Sequence, residues 1–152
     1  NVAEHSFYVA VYAMEICDIL EIREDLRRFI IEKALIHDIH EIELSDIPHN
    51  VKKNIEGFED KCIEFEKDFN LYYFNDLMND IRLSENSLLI ESIVELADVI
   101  SVKQYAQQEV MFGNKKKFSP ILDNANHRIS MILYNIETVV NKDNFNALKA
   151  ML

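Results

Sequence analysis

The stretch His37 to Pro48 reads HDIHEIELSDIP and sets a histidine beside an aspartate, with Glu41, Glu43 and Asp46 close behind. Imidazoles and carboxylates at this spacing can hold a divalent cation or move protons. Such groups are costly to bury without partners, and an isolated charge more so. Two other polar residues share the predicament. His5 heads an apolar line of Val9, Ala13, Ile16 and Leu20, and Asp98 has Val94 and Val102 one turn away on either side.

The elements that must position these residues read as helices. Steps of three and four predict a first helix over about Ala3–Leu20. A second is expected over about Asp25–Glu41, with Leu26, Ile30, Ala34, His37 and Glu41 on one line and Ile31, Leu35, Asp38 and Ile42 on its neighbour. Pro48 restricts Ile47 and donates no hydrogen bond, so Glu43 to Pro48 is expected to be a loop. A third helix starts at Phe58, and its stripe of Cys62, Phe65, Phe69, Tyr72 or Tyr73, Leu77 and Ile81 reads as core packing. A fourth runs over about Asn86–Phe112, capped by Ser84 and closed by Gly113. Asp123 is expected to cap a last major helix with Ile129, Ile132, Leu133, Ile136 and Val140 on its apolar face.

Composition narrows the possibilities. The 152 residues suit one domain over 1–152, large enough to bury a full core. Two glycines and two prolines are few for a many-stranded sheet, which favours an all-α bundle. The net charge of −11 repels phosphate backbones, excluding a long nucleic-acid partner. Lys115 to Lys117 read as a solvated loop. No apolar run approaches the roughly 20 residues needed to cross a bilayer. With no signal peptide, no membrane partner and no CxxC pair, the reading is cytoplasmic, with Cys17 and Cys62 as reduced core thiols. Because the chain opens on Asn1-Val2 and is already motif-like there, a preceding N-terminal segment is expected to be missing.

Three helices thus each carry polar groups in an apolar seam: His5; His37 with Asp38; and Asp98. One shared divalent cation would neutralise the carboxylates and accept two imidazole lone pairs. Two nitrogens and two oxygens suit Mn, Co, Fe, Ni or Zn better than Ca or Mg. The competing reading leaves the histidines satisfied in the core and pairs the aspartates with Lys33, Lys103 or Arg128. Spacing leaves both open and favours the metal.

These residues resemble a known family. The His, His-Asp, Asp order resembles the HD superfamily of metal-dependent phosphohydrolases and, in finer detail, its YfbR-like 5'-deoxynucleotidase group. The resemblance is carried by NVAEHS at residues 1–6, HDIHEIELSDIPHNVK ending at Lys52, Leu96-Ala97-Asp98, and Gly113-Asn114, together covering roughly residues 1 to 114. It implies an HD-domain bundle of about five to seven helices and one divalent transition metal on His5, His37, Asp38 and Asp98. It also implies that Glu41 and Asp46 work beside the metal on a nucleotide phosphate. Glu41 would accept the proton of the attacking water, or only orient a histidine. Asp46 would lie on the sugar side, or only shape the turn before Pro48. His40, His49 and His127 are too few for a second metal, and Glu109 matches a further acid of the group.

Two departures accompany the resemblance. Leu44-Ser45-Asp46 stands where the group often has Thr-Gly-Asp, without glycine's freedom. The group's basic and aromatic segment before the EHS is not in this sequence; without it nucleotide binding would be impaired, and with it upstream, Lys52 or Lys53 would share the phosphate work. The expected function is hydrolysis of nucleoside, above all deoxynucleoside, 5'-monophosphates; the resemblance to a group that often dimerises makes a homodimer one candidate assembly and leaves the oligomeric state open. The alternatives are release of triphosphate from deoxynucleoside triphosphates at the same site, and a non-catalytic helical interaction module.

Overall fold

The computed structural model describes residues 1–44, 47, 51 and 54–152; Asp46 and Lys52 lie outside them. All regular structure among the described residues is helical: α1 (Val2–Ile19), α2 (Glu24–Ile36), the single turn α3 (Glu41–Leu44), α4 (Phe58–Leu83), α5 (Ser87–Met111), α6 (Lys115–Glu137) and α7 (Lys142–Met151). This is the all-α bundle expected of an HD domain. No described helix is long and apolar enough to cross a membrane.

Asn1 caps α1, its side-chain oxygen accepting the Glu4 backbone N–H at 2.9 Å and so satisfying an otherwise orphaned donor. Below His5, the line Val9, Ala13 and Ile16 is fully buried, as its spacing requires. Central helix α5 takes α1, α2 and α6 against its sides, α6 along the greatest length. Ile90, Ile93, Leu96 and Val99 of α5 meet Ile16 and Ile30 in this core, which also buries Ile132 and Ile136 of α6.

Helix α2 ends at Ile36, five residues short of the expected end. The His37 ring Nδ1 donates to the Ala34 carbonyl at 2.7 Å, an acceptor that the backbone N–H of residue 38 would use if the helix continued. Backbone bonds then tighten to i,i+3 spacing, from Ile39 to Ile36, Glu41 to Asp38, Ile42 to Ile39 and Glu43 to His40. His37 and Asp38 therefore stand at a helix end, and Glu41 opens α3 within the segment expected to be loop or helix end.

Three further expectations are corrected. Lys115 to Lys117 are the first turn of α6 rather than a loop, and Asp123 lies inside that helix instead of capping it. Pro120, near the start, removes only one intrahelical bond, a loss the long apolar face of α6 outweighs. Chain beyond Thr138 forms α7, whose Asn141 side chain accepts the Asn144 N–H at 2.8 Å. Finally, the stripe of α4 is core only at its end, where Ile81 is buried and Leu77 packs against the core; of its aromatic part, Tyr72 is 81% and Tyr73 59% exposed. Helix α4 touches α2 and α5 sparingly and breaks at Phe74, where φ is −130° and ψ 33°. Ser84 ends α4, and its Oγ accepts the Asn86 N–H at 3.1 Å just ahead of α5. Both cysteines are free; Cys17 is buried and Cys62 half-buried.

Candidate metal centre

Four side chains from α1, the end of α2 and α5 meet at one point. His5 Nε2 and His37 Nε2 face each other at 3.3 Å. Asp38 Oδ2 lies 3.5 Å from the first and 3.2 Å from the second. Asp98 Oδ1 is 3.2 Å from His5 Nε2. One ligand atom each from His5, His37 and Asp98 fall within 4.8 Å of one another, and Asp38 joins them through the two imidazoles. All four side chains are half-buried.

The local structure explains the aim of each ring. His37 is fixed by its Nδ1–H bond to Ala34, which leaves Nε2 as a lone pair facing the centre. His5 has Ser101 Oγ at 3.3 Å from its Nδ1, a hydroxyl able to accept that N–H and turn the Nε2 lone pair inward. Ser101 is on α5 one turn beyond Asp98, so one helix supplies a carboxylate and the support for the histidine across from it.

Charge balance is strained in a way that a cation would relieve. Burial opposes charging of the His37 ring, but the Asp38 carboxylate, the Ala34 carbonyl and Asp98 outweigh it and hold its pKa above the usual histidine range. Burial likewise opposes ionisation of Asp38, yet His37, then His5 and His40, pull its pKa below the ordinary aspartate value. Two imidazole lone pairs and two carboxylates crowd one centre, a donor set that fits a borderline divalent cation.

The rival pairing of aspartates with lysine or arginine is met in small part. Arg128 of α6 reaches Asp98 Oδ2 at 3.8 Å, but its closer partner is Glu95 at 3.3 Å. Lys33 is bound to Glu91 at 3.0 Å, and Lys103 donates to the Leu152 carbonyl at 2.9 Å. Asp38 has only histidine partners among the described residues. Glu41, half-buried, follows one tight turn after Asp38, its backbone N–H bonded to the Asp38 carbonyl at 2.9 Å. Glu109 accepts from the Asn114 side chain at the far end of α5, away from these groups. Asp46 and Lys52 lie outside the described residues.

Beside the cluster is a cavity of about 290 Å³. His37, Asp38, Glu95 and Asp98 form one wall; Lys33, Glu66, Asn70, Met78 and Glu91 are among the others. Asn70 was not singled out by its sequence context, because it belongs to no motif and polar residues on a helix are ordinarily solvated, whereas Arg128 was named only as a rival partner for the aspartates.

Comparison with curated proteins and with solved structures found no match to the chain. The family described as 5'-deoxynucleotidase YfbR-like matches residues 1–145. The chain therefore belongs to the YfbR-like 5'-deoxynucleotidase family, a group of HD-domain phosphohydrolases.

Proposed function

We propose that the protein removes phosphate from deoxynucleoside 5'-monophosphates, with water as the nucleophile and one divalent transition metal held by His5, His37, Asp38 and Asp98. The observation that carries this reading is the convergence of two imidazole nitrogens and two carboxylates from three separate helices. Family membership supports the nucleotide as substrate. The same reading takes the chain as a single cytoplasmic domain that works as a homodimer.

Phosphoester hydrolysis needs an aligned water, charge neutralisation and a proton for the leaving oxygen. A divalent ion supplies the neutralisation and makes bound water more acidic. This chain's own residues do the rest. Glu41, held by the tight turn after Asp38, takes the proton of the attacking water. Asp46 works on the sugar side, holding a hydroxyl or assisting the leaving oxygen, and Lys52 meets the phosphate; these two roles rest on the family resemblance. Ser101 and the Ala34 carbonyl hold the two rings in register and take no part in the chemistry.

The test is to strip metal with a chelator, add Mn, Co, Fe, Ni or Zn singly, and separate the products of mono- and triphosphate substrates by chromatography. Restored release of inorganic phosphate from deoxynucleoside monophosphates is the expected result. Release of intact triphosphate would reassign the substrate. Turnover that ignores the chelator, or none with any nucleotide, would refute the proposal.

A further inference from the structure

The cavity beside the metal centre holds a feature that the proposed chemistry leaves unused. Asn70, on α4 one turn before the break at Phe74, is only 7% exposed and forms part of the cavity wall. Its side-chain oxygen Oδ1 is fully covered and has no hydrogen-bond partner among the described residues. Buried amides are almost always satisfied, and an orphaned acceptor carries a desolvation penalty. Asn70 lies on a helix that buries little else, so packing does not require an amide there.

The rest of the wall indicates what would satisfy it. Asp38, Glu66, Glu91, Glu95 and Asp98 all face this cavity, whereas its one lysine, Lys33, is already engaged by Glu91 at 3.0 Å. Such a surface is rich in acceptors and poor in free cations. It repels a phosphate and suits a neutral group bearing hydroxyl or amino hydrogens. The volume, about 290 Å³, sits at the small end of ligand pockets.

We propose that Asn70 is a specificity-determining residue whose side-chain oxygen accepts a hydrogen bond from the nucleoside part of the substrate, seated in the acidic cavity while the phosphate lies toward His37, Asp38 and Asp98. This rests on the function proposed above. The nucleoside's hydrogen bond removes the penalty of the orphaned oxygen, so a phosphoester without donors gains nothing from Asn70.

The experiment compares the wild-type protein with Asn70→Leu and Asn70→Ser. Binding of unphosphorylated deoxynucleosides is measured by ligand-observed NMR, melting is followed without ligand, and kcat and KM are measured for deoxynucleoside monophosphates and for phenyl phosphate. Asn70→Leu should weaken deoxynucleoside binding and raise the nucleotide KM by about tenfold or more. Its phenyl phosphate kinetics should change far less than those of the nucleotide, because that ester has no hydrogen to donate to the amide oxygen. It should melt at or above wild type, because an orphaned buried amide gives way to an apolar group of similar size. Asn70→Ser, too short to reach, should lose nucleoside binding as well. Unchanged deoxynucleoside binding in either folded variant overturns the assignment, as does binding lost only together with the fold in both. If the wild-type protein hydrolyses no nucleotide, the proposed activity fails instead, while nucleoside binding and its dependence on Asn70 still decide this inference.

Discussion

The Nε2 atoms of His5 and His37 stand 3.3 Å apart although 32 positions separate the residues in the chain. With each ring carrying its proton on Nδ1, toward Ala34 and Ser101, two Nε2 lone pairs face each other, and a cation between them relieves that contact. Removing Asp38, the carboxylate that touches both, leaves two rings without a shared counter-charge. Asp38→Ala should lower metal affinity by at least about 100-fold, comparable to or beyond the loss of a supporting partner of a ligand. Equilibrium dialysis against Mn or Co measures this. Metal content equal to wild type would remove Asp38 from the ligand set.

Glu41 provides a separate handle on the chemistry. Glu41→Gln keeps the shape of the side chain and removes the base, so kcat should fall by about 10² to 10⁴. Metal stoichiometry should stay unchanged. A variant that loses metal and activity together would make Glu41 a support for the cluster instead of the proton acceptor.

Arg128 places a positive charge 3.8 Å from Asp98 Oδ2, where it competes with any cation in the centre. The ion pair is partly exposed and worth at most about 1 kcal/mol to folding. Arg128→Met should therefore barely move the melting temperature, yet it should tighten metal binding severalfold. Melting curves check the first point; isothermal titration of the metal at low and high salt checks the second, since the gain should shrink as salt screens the charge.

Cys17 gives the protein an alkaline limit. Burial pushes its thiol up to about 11 from 9.0, while the unfolded chain ionises at the ordinary value. Between these pH values the unfolded state holds fewer protons than the folded one, so stability declines as pH rises through that window. Cys17→Val should flatten the decline in melting temperature between pH 9 and pH 11. In the native wild-type protein at pH 8, iodoacetamide should modify half-buried Cys62 well before Cys17.

The sequence revealed most where a pattern has a single physical solution. The line from His5 to Ile16 could only face a core, and it does. His37, Asp38 and Asp98 stood out because charges in apolar seams need a common answer. The end of α2 was not legible, since it depends on a ring nitrogen competing with the backbone for the Ala34 carbonyl, and spacing does not show that competition. The stripe on α4 had the right period but reaches the core only at its end, through Leu77 and Ile81: a hydrophobic face shows which side of a helix is apolar, not how much of it is covered. Asn70 was hidden for the opposite reason. It is a polar residue on a helix otherwise exposed, and only the cavity around it gives it meaning.

The break at Phe74 divides the longest helix of the molecule and leaves it held by a few contacts to α2 and α5. Segments fastened this lightly detach locally at a small fraction of the free energy needed to unfold the whole chain. The wall bearing Glu66 and Asn70 is thus the part of the cavity that swings out most readily, while the cluster opposite stays anchored on α1 and α5. Movement of that wall rearranges a peripheral strut only, leaving the hub of the bundle undisturbed.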